Sequence, residues 1–216
     1  DEFFRTEMQK GFQGIHWPRL GVLYYITIHP FKGVFFWSPV LLLWFIALAS
    51  LHRNPLARQF RPDVLLSIYV VAAYLAFSSG YYLWWGGWAA QNRNFCLAIP
   101  FFAVPLAIWL ARSGRWKLLA FLILAALSIS ANFLITAVDP QLDQNLPETV
   151  LMQARISDNY PSPIIGQSIP KFFLGDIDMN LGMLLLPLKG LWSLLPLLLI
   201  WIASMVWIAR RGRKKE

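Results

Sequence analysis

Arg93 is the residue best placed for chemistry, because it is the only formal charge between Asp63 and Arg112 and stands among aromatic and amide side chains. The stretch from Tyr81 to Pro100 sets Trp84, Trp85 and Trp88 around a Gly86-Gly87 pair, followed by Gln91, Asn92, Arg93 and Asn94. A guanidinium offers five donors in a planar fork that matches phosphate. Adjacent glycines let a backbone approach another group closely, and the amides add uncharged donors. The chemistry implied is capture of a phosphate, with the indoles free to stack on a sugar or grip a polyprenyl chain. Each feature has a structural alternative: the arginine as a snorkelling interfacial anchor, the tryptophans as an aromatic belt. Buried there, the arginine would carry a desolvation cost that a bound phosphate offsets.

Other chemistries lack their residues. The sequence holds no Ser/His/Asp arrangement, phosphate-cradling glycine loop or zinc spacing. His16 and His29 lie in separate segments and make no metal site by spacing. Asp176-Ile-Asp178-Met-Asn180 resembles the start of a calcium loop, but Leu181 replaces the glycine of its sixth position and Pro187 the glutamate of its twelfth. Neither a metal nor a cofactor is therefore expected. The single cysteine, Cys96, rules out an internal disulfide and reads as a buried filler.

The elements that must position these residues are membrane helices. The chain is 57% hydrophobic and 14% charged, with a mean hydropathy of +0.51, against roughly 25% charged in a soluble domain. The expected fold is an all-α polytopic bundle of about five spanning helices with a long non-cytoplasmic loop. Spans are predicted near residues 34–51, 64–83, 95–111, 118–138 and 190–209. Residues 1–33 form an interfacial segment, 34–138 a four-helix region with the Trp/Gly/Arg turn at 81–94, 139–189 the long loop, and 210–216 a basic tail. Short helices are expected within that loop. The net charge of +8 belongs to topology, and no nucleic-acid partner is implied: the proposed cytoplasmic loops carry eleven Lys/Arg against Asp63 and Glu216, net +9, and the other face nets −1. Residues 1–33, the Trp/Gly/Arg turn and the long loop then share the non-cytoplasmic face, where they can build one site. The chain begins at Asp1, with no signal peptide after it, which predicts a fragment of a longer protein.

Gly11-Phe-Gln-Gly14, His29-Pro-Phe-Lys-Gly33-Val-Phe-Phe-Trp-Ser38-Pro39, and Trp84-Trp-Gly-Gly-Trp88 with Arg93 and an apolar run to Pro100 carry a resemblance. They resemble the C-terminal half of bacterial GT-C type polyprenyl-phosphate-dependent membrane glycosyltransferases, related to dolichyl-phosphate-mannose protein mannosyltransferases and family 39-like. The resemblance runs from about residue 10 to 110. It implies a hexosyltransferase of the bacterial inner membrane that takes sugar from a polyprenyl-phosphate-linked donor at the outer face, among membrane lipid. Arg93 would meet the donor phosphate, with Trp84, Trp85, Trp88 and Gln91 shaping the cleft. The family turn often reads Gly-Pro-Arg-Tyr; here it is Gln91-Asn92-Arg93-Asn94, so only the arginine carries over. The family's acidic base lies in a loop that precedes this chain, so no catalytic residue is assigned. The alternative is a non-enzymatic membrane scaffold or assembly subunit.

Overall fold

The computed structural model describes residues 2–51, 54–111, 114–139, 148–177 and 181–212. His52, Arg53, Arg112, Ser113, residues 140–147, Asp178–Asn180 and residues 213–216 of the basic tail lie outside the described residues. The described elements are helical, apart from isolated bridges at Phe12–Ile15 and Ile15–Tyr81. Among the described residues four helices are long and apolar enough to cross a membrane: Arg61–Gly80, Arg93–Leu110, Arg115–Val138 and Gly190–Trp207. Leu119, Leu122, Ile123 and Leu127 are all exposed along Arg115–Val138. In water each would forgo roughly 1.5–3 kcal/mol of burial; in lipid such a surface is at home.

Sequence signals set the ends of Arg61–Gly80. Pro62 sits in its first turn with Asp63, where a missing N–H costs nothing and a carboxylate faces the positive end of the helix dipole. In Arg93–Leu110 a 3-10 run, Arg93–Phe102, precedes an α-helix, Ala103–Leu110. Pro105 has no N–H for the Phe101 carbonyl. That carbonyl instead accepts from Ser67 Oγ at 2.5 Å, while Ser67 Oγ accepts from Trp44 Nε1 at 3.3 Å. One serine on Arg61–Gly80 thus satisfies the group that proline orphans and ties two helices together.

The segment predicted as one span over 34–51 is broken. Ser38 adopts φ −135° and ψ 70°, since the ring of Pro39 disfavours the α conformation in the residue before it. A short helix, Val34–Trp37, precedes the break, and the 3-10 and α turns of Pro39–Ser50 follow it. The latter reach only about 20 Å, short of a hydrocarbon core of roughly 30 Å. Polar groups from Arg115–Val138 hold the break open. Val40 N–H donates to Ser128 Oγ at 3.1 Å, and Asn132 Nδ2 donates to the Trp37 carbonyl at 3.1 Å.

The described residues fall into two compact units, one from residues 1–132 and 141–163, the other from 133–140 and 164–216. The core of the first gathers Phe35, Leu43, Trp44, Val71, Phe95, Phe102 and Trp109. A smaller cluster joins Leu51, Val64 and Ile108. The broken segment therefore packs along Arg93–Leu110, Phe35 meeting Phe102 at 6.4 Å and Leu51 sharing a cluster with Ile108. In the second unit Ile169–Leu174 is closed by Gly175 at φ 72°, a left-handed helix stop. There Gly182 lies against the Ser193 carbonyl closer than any Cβ would permit. The long loop is accordingly shared: Glu148–Gln153 belongs to the first unit, and Ile169–Leu174 and Leu181–Leu185 to the second.

Candidate functional site

The Trp/Gly/Arg turn is built on two left-handed glycines, Gly86 at φ 74° and Gly87 at φ 72°. What approaches them is Arg93 itself. A Cβ on Gly86 would sit 3.2 Å from Arg93 Cγ, and one on Gly87 would sit 3.4 Å from an Arg93 guanidinium nitrogen. Asn92 Oδ1 accepts from Asn94 N–H at 3.1 Å, starting the helix, and Asn94 Nδ2 donates to the Leu83 carbonyl at 3.0 Å. Arg93 is exposed, and among the described residues no carboxylate pairs with it.

The desolvation cost expected of Arg93 falls instead on Lys32. This lysine follows a turn in which His29 Nδ1 accepts from Phe31 N–H at 3.1 Å and Gly33 N–H donates to the His29 carbonyl at 2.8 Å. Its side chain is 1% exposed. Nζ donates to the Gly87 carbonyl at 3.4 Å and to the Ala89 carbonyl. Burial, and then the neighbouring Arg93 guanidinium, push the ammonium pKa down to about 7. Two cations therefore share one glycine turn with no carboxylate ion-paired to either among the described residues.

Trp84 and Trp85 are fully buried. Trp84 Nε1 donates to the Leu151 carbonyl at 2.7 Å, and its ring stacks on Tyr25 at 5.7 Å. Tyr25 packs 4.6 Å from Tyr160 and directs its hydroxyl at the Arg155 and Asp158 carbonyls, 2.6 and 2.7 Å away. Arg19 Nη1 donates to the Met152 carbonyl at 2.7 Å. Burial and Asp158, whose Oδ2 lies 3.0 Å from the Tyr160 hydroxyl, hold the Tyr160 proton well above the usual tyrosine range. Residues 19–33, the turn and residues 148–160 of the loop do come together, and what they form is packed core. An indole with its N–H satisfied gains more from burial than from a boundary position. Trp88 is half-buried. Gln91 donates through Nε2 to Asn132 Oδ1 at 2.5 Å, which commits that nitrogen to Arg115–Val138. Cys96, read as a buried filler, is exposed, because the 3-10 run turns it away from Phe95 and Ala98, which face the core.

An open depression of about 660 Å³ lies beside this core, lined by Gly11, Ile15, His16, Trp17 and Arg19. Its wall is laced to the end of Arg61–Gly80: His16 N–H donates to the Gly80 carbonyl at 2.9 Å and Tyr82 N–H to the Gly14 carbonyl at 2.9 Å.

Sequence reasoning passed over Lys32 and Asn132. The signal for Lys32 was a lone cation heading the apolar run from Gly33 to Trp37; for Asn132 it was the Ser128/Asn132 pair, one helical turn apart in an otherwise apolar span. No protein-family model, no curated protein and no solved structure matches this chain.

Proposed function

We propose that this chain is the donor-lipid half of a polyprenyl-phosphate-dependent membrane glycosyltransferase, with the donor phosphate held at the Gly86-Gly87 turn. The observation that carries the reading is the pair of cations on that turn, exposed Arg93 and buried Lys32, without a carboxylate partner among the described residues. The phosphodiester of such a donor supplies one negative charge and the phosphate monoester left after transfer supplies two, and the half-buried Trp88 lies beside its lipid. The resemblance over residues 10–110 points the same way. In this reading the broken 34–51 segment is a fifth crossing, running beside Arg93–Leu110 from Phe35 to Leu51.

Arg93→Ala should weaken farnesyl phosphate binding by the full chain at least about tenfold, roughly 1.4 kcal/mol, and leave the melting temperature unchanged, because the side chain is exposed. Lysine at this position should fall between, keeping the charge and losing the fork. An anchoring arginine predicts the opposite pairing: unchanged affinity, lower stability and a fully competent lysine variant. Loss of all phosphate dependence would leave the scaffold reading.

The proposed orientation has its own test. In a Cys96→Ala background, Ser157→Cys in the exposed part of the long loop should react with an impermeant maleimide added outside intact cells. Protection until the cells are opened would place the turn on the cytoplasmic face and end the outer-face reading.

A further inference from the structure

Beneath the glycine turn is a small cavity of about 20 Å³, whose polar wall consists of Lys32, Trp37, Ser38, Gln91 and Asn92. Trp37 and Asn92 are 1% and 5% exposed, and Trp37 Nε1 and Asn92 Nδ2 are buried without a hydrogen-bond partner. The orientation of the Asn92 amide is set, because Oδ1 already accepts from Asn94 N–H. Buried donors left unmet are rare in native proteins and each calls for an acceptor. Lys32 brings a third donor group with positive charge, two of its three hydrogens spoken for by the Gly87 and Ala89 carbonyls.

The volume admits one oxygen atom, since a water needs roughly 10–15 Å³, and it is too small for a whole phosphate. Water would bring two hydrogens of its own to three groups that only donate, in a wall otherwise largely apolar, whereas an anionic oxygen accepts from all three. Resting on the phosphate reading above, we infer that Lys32, Trp37 and Asn92 form a pocket for one non-bridging phosphoryl oxygen, of a polyprenyl phosphate ester or of free phosphate. The remaining oxygens stay outside, within the field of Arg93. The two cations then divide the work: Lys32 grips a single oxygen from within, and the Arg93 fork meets the phosphate from the solvent side.

The test uses the full chain in detergent micelles, with farnesyl phosphate, farnesol and inorganic phosphate titrated calorimetrically and the melting temperature of each variant recorded. Asn92→Asp keeps the oxygen that caps Asn94 but turns the orphaned donor into an acceptor; Lys32→Met removes the charge at similar volume. Each should lower farnesyl phosphate affinity at least about tenfold, and Trp37→Phe about fivefold, with farnesol binding unaltered. Farnesyl phosphate binding that depends on Arg93 but on none of these three would overturn the pocket and leave the proposed function standing. Inorganic phosphate that binds with the three-residue dependence while farnesyl phosphate does not bind would support the pocket and sink the lipid-donor reading. Equal affinity for farnesol and farnesyl phosphate, unchanged in every variant, would overturn both.

Discussion

Replacing Trp84 with alanine will destabilise the protein by about 3–5 kcal/mol, the cost of emptying a large buried aromatic site. The indole is fully buried, stacks on Tyr25 at 5.7 Å and meets Trp85 edge to face at 6.0 Å. Its N–H is the hydrogen-bond donor to the Leu151 carbonyl. The truncation therefore leaves a cavity and a carbonyl without its partner. Residues 148–160 should lose part of their anchorage and become sensitive to trypsin at Arg155, which is exposed beside this cluster. Thermal unfolding in detergent and timed trypsin digestion check both expectations. Trp88→Ala is the control: a half-buried ring should cost clearly less. An unchanged melting temperature for Trp84→Ala would show that the turn is held by something other than this packing.

Lys32 governs the second large effect. The folded protein should gain about 3 kcal/mol between about pH 7 and about pH 9.5, and Lys32→Met should abolish that slope. The native ammonium gives up its proton near pH 7, whereas a lysine in the unfolded chain holds it to about 10.4. Over that interval the unfolded state binds more protons, so stability rises with pH; below pH 7 both states are protonated and this group contributes no slope. The upper limit is set by Tyr25 and Tyr160. Burial first, and then Asp158, raise both hydroxyls, so above the usual tyrosine range they act with the opposite sign. His29, lowered by burial, titrates below the window. At pH 6 the methionine variant should be the more stable protein, because it no longer carries a buried charge. Saturating farnesyl phosphate should flatten the wild-type profile by holding Lys32 protonated. Identical profiles for wild type and Lys32→Met would remove Lys32 as a buried titrating group. A lysine kept at such cost is the kind of local instability that functional sites carry.

Much of the architecture was legible along the chain, because hydropathy is a local sum. Runs such as Leu118–Val138 and Leu191–Trp207 cannot face water at acceptable cost, and the bilayer as solvent follows from composition alone. Pro62 marked a first turn through covalent geometry, which no partner can alter, but Pro39 lay within one continuous predicted span and its break was missed. Gly86 and Gly87 announced a close approach, and Arg93 a lone cation at the end of a span. What no local sum contains is the identity of the partner. Trp84 reads as a belt residue until a carbonyl from Leu151, 67 positions away, takes its N–H. The Ser38–Pro39 break persists because Ser128 and Asn132 arrive from another helix to satisfy the freed backbone. The exchange of roles between the two cations is likewise tertiary: the glycine turn leaves Arg93 in solvent and closes over Lys32. Burial depends on which distant segment returns to cover a side chain, and that is decided only once the helices have packed.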